Sequence, residues 1–170
     1  MKPLRILFPL LICLSIPAHP QQNDIAKQIV GAWRLVSVEG MSPVRHIPYD
    51  HPTGLIIYDP SGWMSVQIAI KGDRKPFAGG LGSGTQEEKA AAFDTYFSYY
   101  GPYTIDLKAQ TITHHIKGYS YPTSAEINNV RWFEFQGPDR LILTPTEDGK
   151  GGTLDRKNAT YKLVWERIKD

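Results

Sequence analysis

Cysteine is almost missing from this chain of 170 residues: Cys13 is the only one, and it lies in an apolar N-terminal segment. The rest of the chain has no disulfide to lean on, no thiol nucleophile and no cysteine for a zinc site. Charge of one sign is missing too. The 19 basic and 17 acidic residues give a net +2. Lys2 and Arg5 belong to that same N-terminal segment, so 17 of each sign remain without it. No strand face is rich in arginine, and together these absences argue against nucleic acid or an anionic membrane as a partner.

Long hydrophobic runs are scarce as well. Ile6–Ile16 is apolar but too short to span a bilayer. With Lys2 and Arg5 as a positive n-region and Ala18 as a small residue before the cut, residues 1–18 read as a signal peptide. The expected location is periplasmic or extracellular, with no membrane contact in the mature form. Ile16 and Pro17 are unusual just before a cleavage site, which leaves an uncleaved anchor as the alternative. A lipoprotein reading at Cys13 is weaker, because Leu10-Leu11-Ile12 lacks the small residue an acylated cysteine needs. Taking 18 residues from 170 leaves 152, enough for one domain that buries about two-thirds of its unfolded surface. Residues 19–28 are polar and predicted as a loose leader, so the domain runs over 29–170.

Several chemistries lack their motif. Ser83, between Gly82 and Gly84, has no strand-to-helix elbow and no partner base. Gly79–Gly84 is not followed by the Gly-Lys-Ser/Thr of a phosphate loop. His46 and His51 share a loop without a third metal ligand at workable spacing. Carboxylates are scattered rather than paired. Asn158-Ala159-Thr160 is a glycosylation acceptor only in a secreting eukaryote. No cofactor and no metal is expected.

What remains is a succession of short strands. The first is predicted over Val30–Glu39. Gly54–Tyr58 and Met64–Ile70 flank Asp59-Pro60-Ser61-Gly62, a turn signal of the hairpin kind. Residues 72–84 are glycine-rich, without period, and read as a mobile loop. Thr85 and Glu88 then form a capping box with Glu87 beside it. Ala90, Phe93, Phe97 and Tyr100 recur at helical spacing, which predicts an amphipathic helix ending at Gly101-Pro102. Strands follow over Tyr103–Leu107, Thr111–Lys117, Asn129–Gln136, Arg140–Thr144 and Thr160–Ile168. The predicted fold is all-β: a closed antiparallel up-and-down barrel of about eight strands with one helix packed on it.

Alternation sorts the strands into an inner and an outer row. Tyr161, Leu163, Trp165 and Arg167 share one row, as do Gly31, Trp33 and Leu35, and Tyr103, Ile105 and Leu107. Two polar residues sit in rows that read as interior. His114 lies between Ile112 and Ile116, and Arg131 shares its row with Phe133 and Phe135. A buried charge needs a carboxylate, a ligand anion or a wet cavity. The plainer alternative is that Arg131 reaches the rim and His114 is a satisfied core histidine. On the Met64 strand the row of Met64, Val66, Ile68 and Ile70 is expected to face inward. A ligand cup can also invert locally and use Gln67 as a polar contact.

Taken in order, Val30-Gly-Ala-Trp-Arg-Leu-Val-Ser37, Met64-Ser-Val-Gln67, Glu87–Asp94 with Tyr99-Tyr-Gly-Pro-Tyr103, Thr113-His-His-Ile116, Val130-Arg-Trp-Phe133 and Leu163-Val-Trp-Glu-Arg167 resemble the lipocalin-like domain family. The resemblance spans nearly all of the chain after residue 29. It implies a barrel with an inner cavity, in which Trp33 plugs the floor and Arg167 stacks on it by cation–π packing. The family fixes no single activity, and fold alone does not either.

Two functions are expected from this reading. The first is a binding protein for a small, largely apolar or amphipathic ligand with an acidic or carbonyl group. His114, Arg131 and Gln67 would supply polar contacts, and Tyr58, Phe93, Tyr96 and Tyr103 the walls. The alternative is a cofactor-independent isomerase or cyclase, with His114 as general acid/base and Arg131 steadying a developing anion. A third reading is a structural domain with a filled core.

Overall fold

Tight reversals at one end and long connections at the other give this chain its polarity. The computed structural model describes residues 20–40, 48–123, 126–147, 152–157, 159 and 161–169. The signal-peptide segment with Cys13, the loop residue His46, and the glycosylation positions Asn158 and Thr160 lie outside the described residues. In chain order the elements are α1 (Pro20–Ile29), β1 (Gly31–Glu39), β2 (Thr53–Tyr58), β3 (Trp63–Ala69), α2 (Gln86–Asp94), β4 (Tyr96–Asp106), β5 (Thr111–Ile116), β6 (Gly118–Tyr119), β7 (Ile127–Phe135), β8 (Arg140–Pro145) and β9 (Lys162–Arg167).

The strands run up and down, each antiparallel to the next, and β9 returns to pair with β1. Eight strands thereby close a barrel in which each of the eight has a strand neighbour on both sides. β6 is a two-residue addition to β4, with Tyr119 opposite Tyr99. Three short reversals, at 59–62, 107–110 and 136–139, gather with α1 at the closed end. The four longer connections gather at the other.

The closed end is packed solid around Trp33, which is fully buried. Its indole Nε1 donates to the Ile29 carbonyl at 2.9 Å, and Phe135 lies against its ring at 6.1 Å. The Arg167 guanidinium stacks on the other face, with Cζ 4.1 Å from the ring centroid. That guanidinium also donates to the carbonyls of Val30, at 2.9 Å, and Gln28, so it caps the last turn of α1 where the helix dipole is negative. Asp139, on the β7–β8 turn, faces Arg167 at 3.8 Å and Lys169 at 2.7 Å. One arginine therefore ties the first strand, the last strand, a turn and α1 together.

Three sequence expectations change. The leader predicted as loose is helical from Pro20. Proline suits a helix start, Ile25 packs against the core, and Ile29 is buried in it. The capping box at Thr85 and Glu88 is present, but α2 stops at Asp94 instead of continuing to Tyr100. Thr95 ends it: its hydroxyl donates to the Ala91 carbonyl at 2.8 Å. From Tyr96 the aromatic run pairs residue for residue with β3, and Phe97 and Tyr99 alternate into the core. Gly101-Pro102 lies inside this strand, where a side chain on Gly101 would strike the His115 carbonyl at 1.9 Å. The apolar face expected of the helix is not buried either. No residue of α2 is, and Phe93 is 45% exposed.

Gly31 is bound to this clamp by space as well as conformation. Its φ is +132°, and a Cβ there would lie 2.6 Å from an Arg167 nitrogen. Gly31→Ala is expected to lower unfolding free energy by about 2 kcal/mol or more, from backbone strain and displacement of Arg167. Urea denaturation measures it. An unchanged midpoint would show that the clamp is slack.

Candidate functional site

The upper half of the barrel is hollow. A cavity of about 360 Å³ runs down from the long connections to Trp165, within the range of about 300–1,000 Å³ usual for small-molecule sites. Ile56, Val66, Ile68, Phe97, Leu143 and Leu163 give it an apolar wall. Tyr49, Glu147 and Tyr161 stand at its mouth, the two tyrosine hydroxyls 2.8 Å apart. A wider crevice of about 870 Å³ lies outside the barrel, between residues 71–81 and α2. Its wall carries Lys71, Arg74 and Lys75 as well as Asp73 and Glu88.

His114 and His115 show what alternation does on one strand. His115 faces out and bonds Thr104 and Asn128. His114 faces in, 1% exposed, and both ring nitrogens are occupied: Nε2 by the Tyr58 hydroxyl at 2.8 Å and Nδ1 by the Tyr99 hydroxyl at 3.0 Å. Burial lowers its pKa to about 3, with the nearby Arg131 and His115 adding to the shift. The imidazole is therefore neutral at ordinary pH and held at both ends. A group so placed does not exchange protons near neutrality as a general acid or base must.

Arg131 sits on β7, diagonal to His114 across the β5–β7 pair, where Asn129 is opposite His114 and Ile112 opposite Arg131. It is half-buried and lines the cavity. Its guanidinium donates to the Val130 carbonyl at 2.9 Å, and among the described residues no carboxylate pairs with it. Deeper in the cavity wall, the Trp165 indole Nε1 is buried with no hydrogen-bond partner among the described residues. The cavity wall is thus largely apolar, with Asn128, Asn129 and Glu147 among its polar lining, and it carries a cation that no carboxylate pairs with among the described residues.

The structure brings part of the sequence-predicted set together. His114 and Arg131 line the cavity. Tyr58 stands behind His114, fully buried, its phenol pKa raised well above the usual value by burial and then by Tyr99. Tyr103 stands behind Tyr58, edge-on at 5.1 Å, with its hydroxyl on the Asp59 carbonyl. Neither Tyr58 nor Tyr103, expected as walls, lines the cavity, and the other three do not line it either. Gln67 belongs to the outer row of β3 and bonds Ser65, since Met64, Val66 and Ile68 take the inside. Tyr96 is outside with Arg74 over its ring at 5.0 Å. Phe93, on the exposed α2, is joined to the site through Tyr121 and then Tyr119. Sequence reasoning missed Tyr99 because it placed that residue in a helix. It missed Tyr49 and Glu147 because loop residues carry no alternation to sort them. Among the described residues no cluster of three metal-ligating side chains occurs, and His51 bonds its neighbour Asp50.

A closed eight-stranded barrel with a plugged floor and a hollow upper half defines a small lipocalin-type cup. The model of the lipocalin-like domain family matches residues 30–168, and the chain belongs to that family. The match takes in both Gly31-Ala32-Trp33 and Arg167, the two sides of the floor clamp. No curated protein matches the chain.

His114 makes stability depend on pH. An unfolded histidine takes up its proton near 6.5, the folded one only near 3. The contribution is fully present above about pH 6.5 and is lost as pH falls toward 3, because the unfolded state then binds the extra proton. Between about pH 7.5 and pH 5 this one group is expected to remove about 2 kcal/mol. Urea unfolding at the two pH values reads it, with His114→Phe as the reference lacking the imidazole. Equal declines in the two proteins would contradict a buried neutral imidazole.

Proposed function

We propose that the barrel holds a small, largely apolar molecule bearing an acidic or carbonyl group, with Arg131 as its polar anchor. The observation that carries this reading is the Arg131 guanidinium on the wall of a largely apolar cavity, paired with no carboxylate among the described residues. Burying such a charge is unfavourable without a counter-charge, and a ligand oxygen supplies one. The unpaired Trp165 indole is a second donor in the same wall. A filled structural core is disfavoured by the cavity itself. The isomerase or cyclase reading is not favoured, since its proposed acid/base is neutral and engaged at both nitrogens.

Residues 1–18 fit the same picture as an export segment, placing the cup outside the cytoplasm. No helix among the described residues is long and apolar enough to cross a membrane. Intact mass of the protein from its own host should correspond to a chain starting at residue 19. A mass that includes Met1 would contradict cleavage.

Native mass spectrometry of the same material tests the function. One small molecule per chain, released on denaturation, is the expected result. Arg131→Leu should weaken its binding by about tenfold or more, the loss expected for a hydrogen bond to a charged group. A ligand-free mass, together with failure to bind any member of a panel of apolar acids and ketones, would overturn the reading.

A further inference from the structure

Asn129 has no part in the binding described so far. It stands opposite His114 in the β5–β7 ladder, and residues paired across such a ladder share a face, so it belongs to the inner row. It is half-buried and lines the cavity, two places from Arg131 on the same strand and farther from the closed end. Its neighbour Asn128 is the contrast: that side chain faces out and meets the His115 ring at 2.8 Å. No hydrogen bond within the described residues takes up the Asn129 carboxamide. Asparagine is a poor strand former, and a carboxamide on an apolar wall costs desolvation unless something bonds it. Arg131 and Asn129 also differ in kind. A guanidinium has donors only, in a fork that suits both oxygens of a carboxylate. A carboxamide offers a donor and an acceptor side by side.

We propose that Asn129 reads a hydroxyl on the ligand, close to the carboxylate that Arg131 holds, so that the occupant is an apolar hydroxy acid. This rests on the ligand-holding reading above and narrows it. A carboxylate only accepts, and would leave the Asn129 carbonyl oxygen unmatched; a hydroxyl donates to that oxygen or accepts from the amide nitrogen. The spacing sets where the hydroxyl lies. Two residues of strand separate the Cα atoms of Asn129 and Arg131 by about 7 Å, and both side chains project from one face. The long guanidinium arm closes part of that gap. The hydroxyl therefore belongs on the second or third carbon of the acid, not at the far end of the apolar tail. The tail then descends among Ile68, Phe97 and Leu163. Asn129 is a specificity residue: it distinguishes the hydroxy acid from the plain acid, while Arg131 meets the charge common to both.

The test is calorimetric titration at neutral pH with decanoate, 2-hydroxydecanoate and 3-hydroxydecanoate, which share the charge and the tail. The wild-type protein is expected to bind one of the two hydroxy acids about tenfold more tightly than decanoate, because the plain acid leaves the carboxamide unmatched. That comparison needs no variant to fold. Asn129→Leu keeps the size of the side chain and removes its polar atoms. It should hold decanoate as tightly as the wild-type protein does and lose the preference for the hydroxy acid. A merely structural role for Asn129 would shift all three affinities alike and leave their ratio unchanged. Decanoate binding as tightly as both hydroxy acids overturns the inference and leaves the ligand-holding reading standing. A hydroxyl preference that survives in Asn129→Leu overturns it too, since another group would then be reading the hydroxyl. Failure of all three acids to bind the wild-type protein would overturn the binding of an apolar acid and this inference with it.

Discussion

Closure of the sheet is the constraint on which everything else rests. A barrel forms only if the last strand returns to the first. Here β9 lies along β1 with Arg167 opposite Trp33. The guanidinium covers the indole and caps α1, and Gly31 leaves room for it. Cation–π packing and charge-assisted hydrogen bonds are individually modest, but they act on one side chain that joins four pieces of the fold. With no disulfide available to the barrel, that junction and the core around Trp33 hold the closed end.

A firm floor permits a loose ceiling. The lower half is filled by aromatic and branched side chains, so the upper half can stay empty without collapse. The division follows from the connections. Tight hairpins sit where side chains interdigitate, and long segments sit where the lumen opens. Within the hollow two of the polar groups stand apart in how they are held. A neutral imidazole is held between two phenols, and a guanidinium pairs with no carboxylate among the described residues. The first is a satisfied core network of the kind that rigidifies a site. The second leaves an electrostatic demand that no carboxylate among the described residues meets.

Much of this is legible in the sequence, for identifiable reasons. Strands with one wet face announce themselves by alternation, which put Ile112, His114, Phe133, Leu163 and Trp165 on the inner side. The capping box at Thr85 and Glu88 is a local rule and marked the start of α2. The end of that helix was not legible. Phe93, Phe97 and Tyr100 fit a helical period, while Phe97, Tyr99 and Gly101 fit a strand period equally well. Pairing with β3, a contact distant in sequence, decides between them. The polar leader looked unstructured because its helix is held by a residue at the far end of the chain. Of the site, the inward polar residues could be read from their rows. The aromatic walls assigned to Tyr58, Phe93, Tyr96 and Tyr103 could not: Phe93 and Tyr96 depended on where α2 ends and packs, and Tyr58 and Tyr103 stand behind His114 instead of at the cavity surface.

The central claim is that the barrel's inner cavity receives an apolar acid and that Arg131 meets its charge. A crystal structure of the protein grown with 2-naphthoate tests it most directly. The account predicts the ring system between Ile68, Phe97 and Leu163, with the carboxylate within hydrogen-bond distance of the Arg131 guanidinium. A ligand seated instead in the crevice beside α2, or an Arg131 side chain paired with a carboxylate of its own chain, would contradict it.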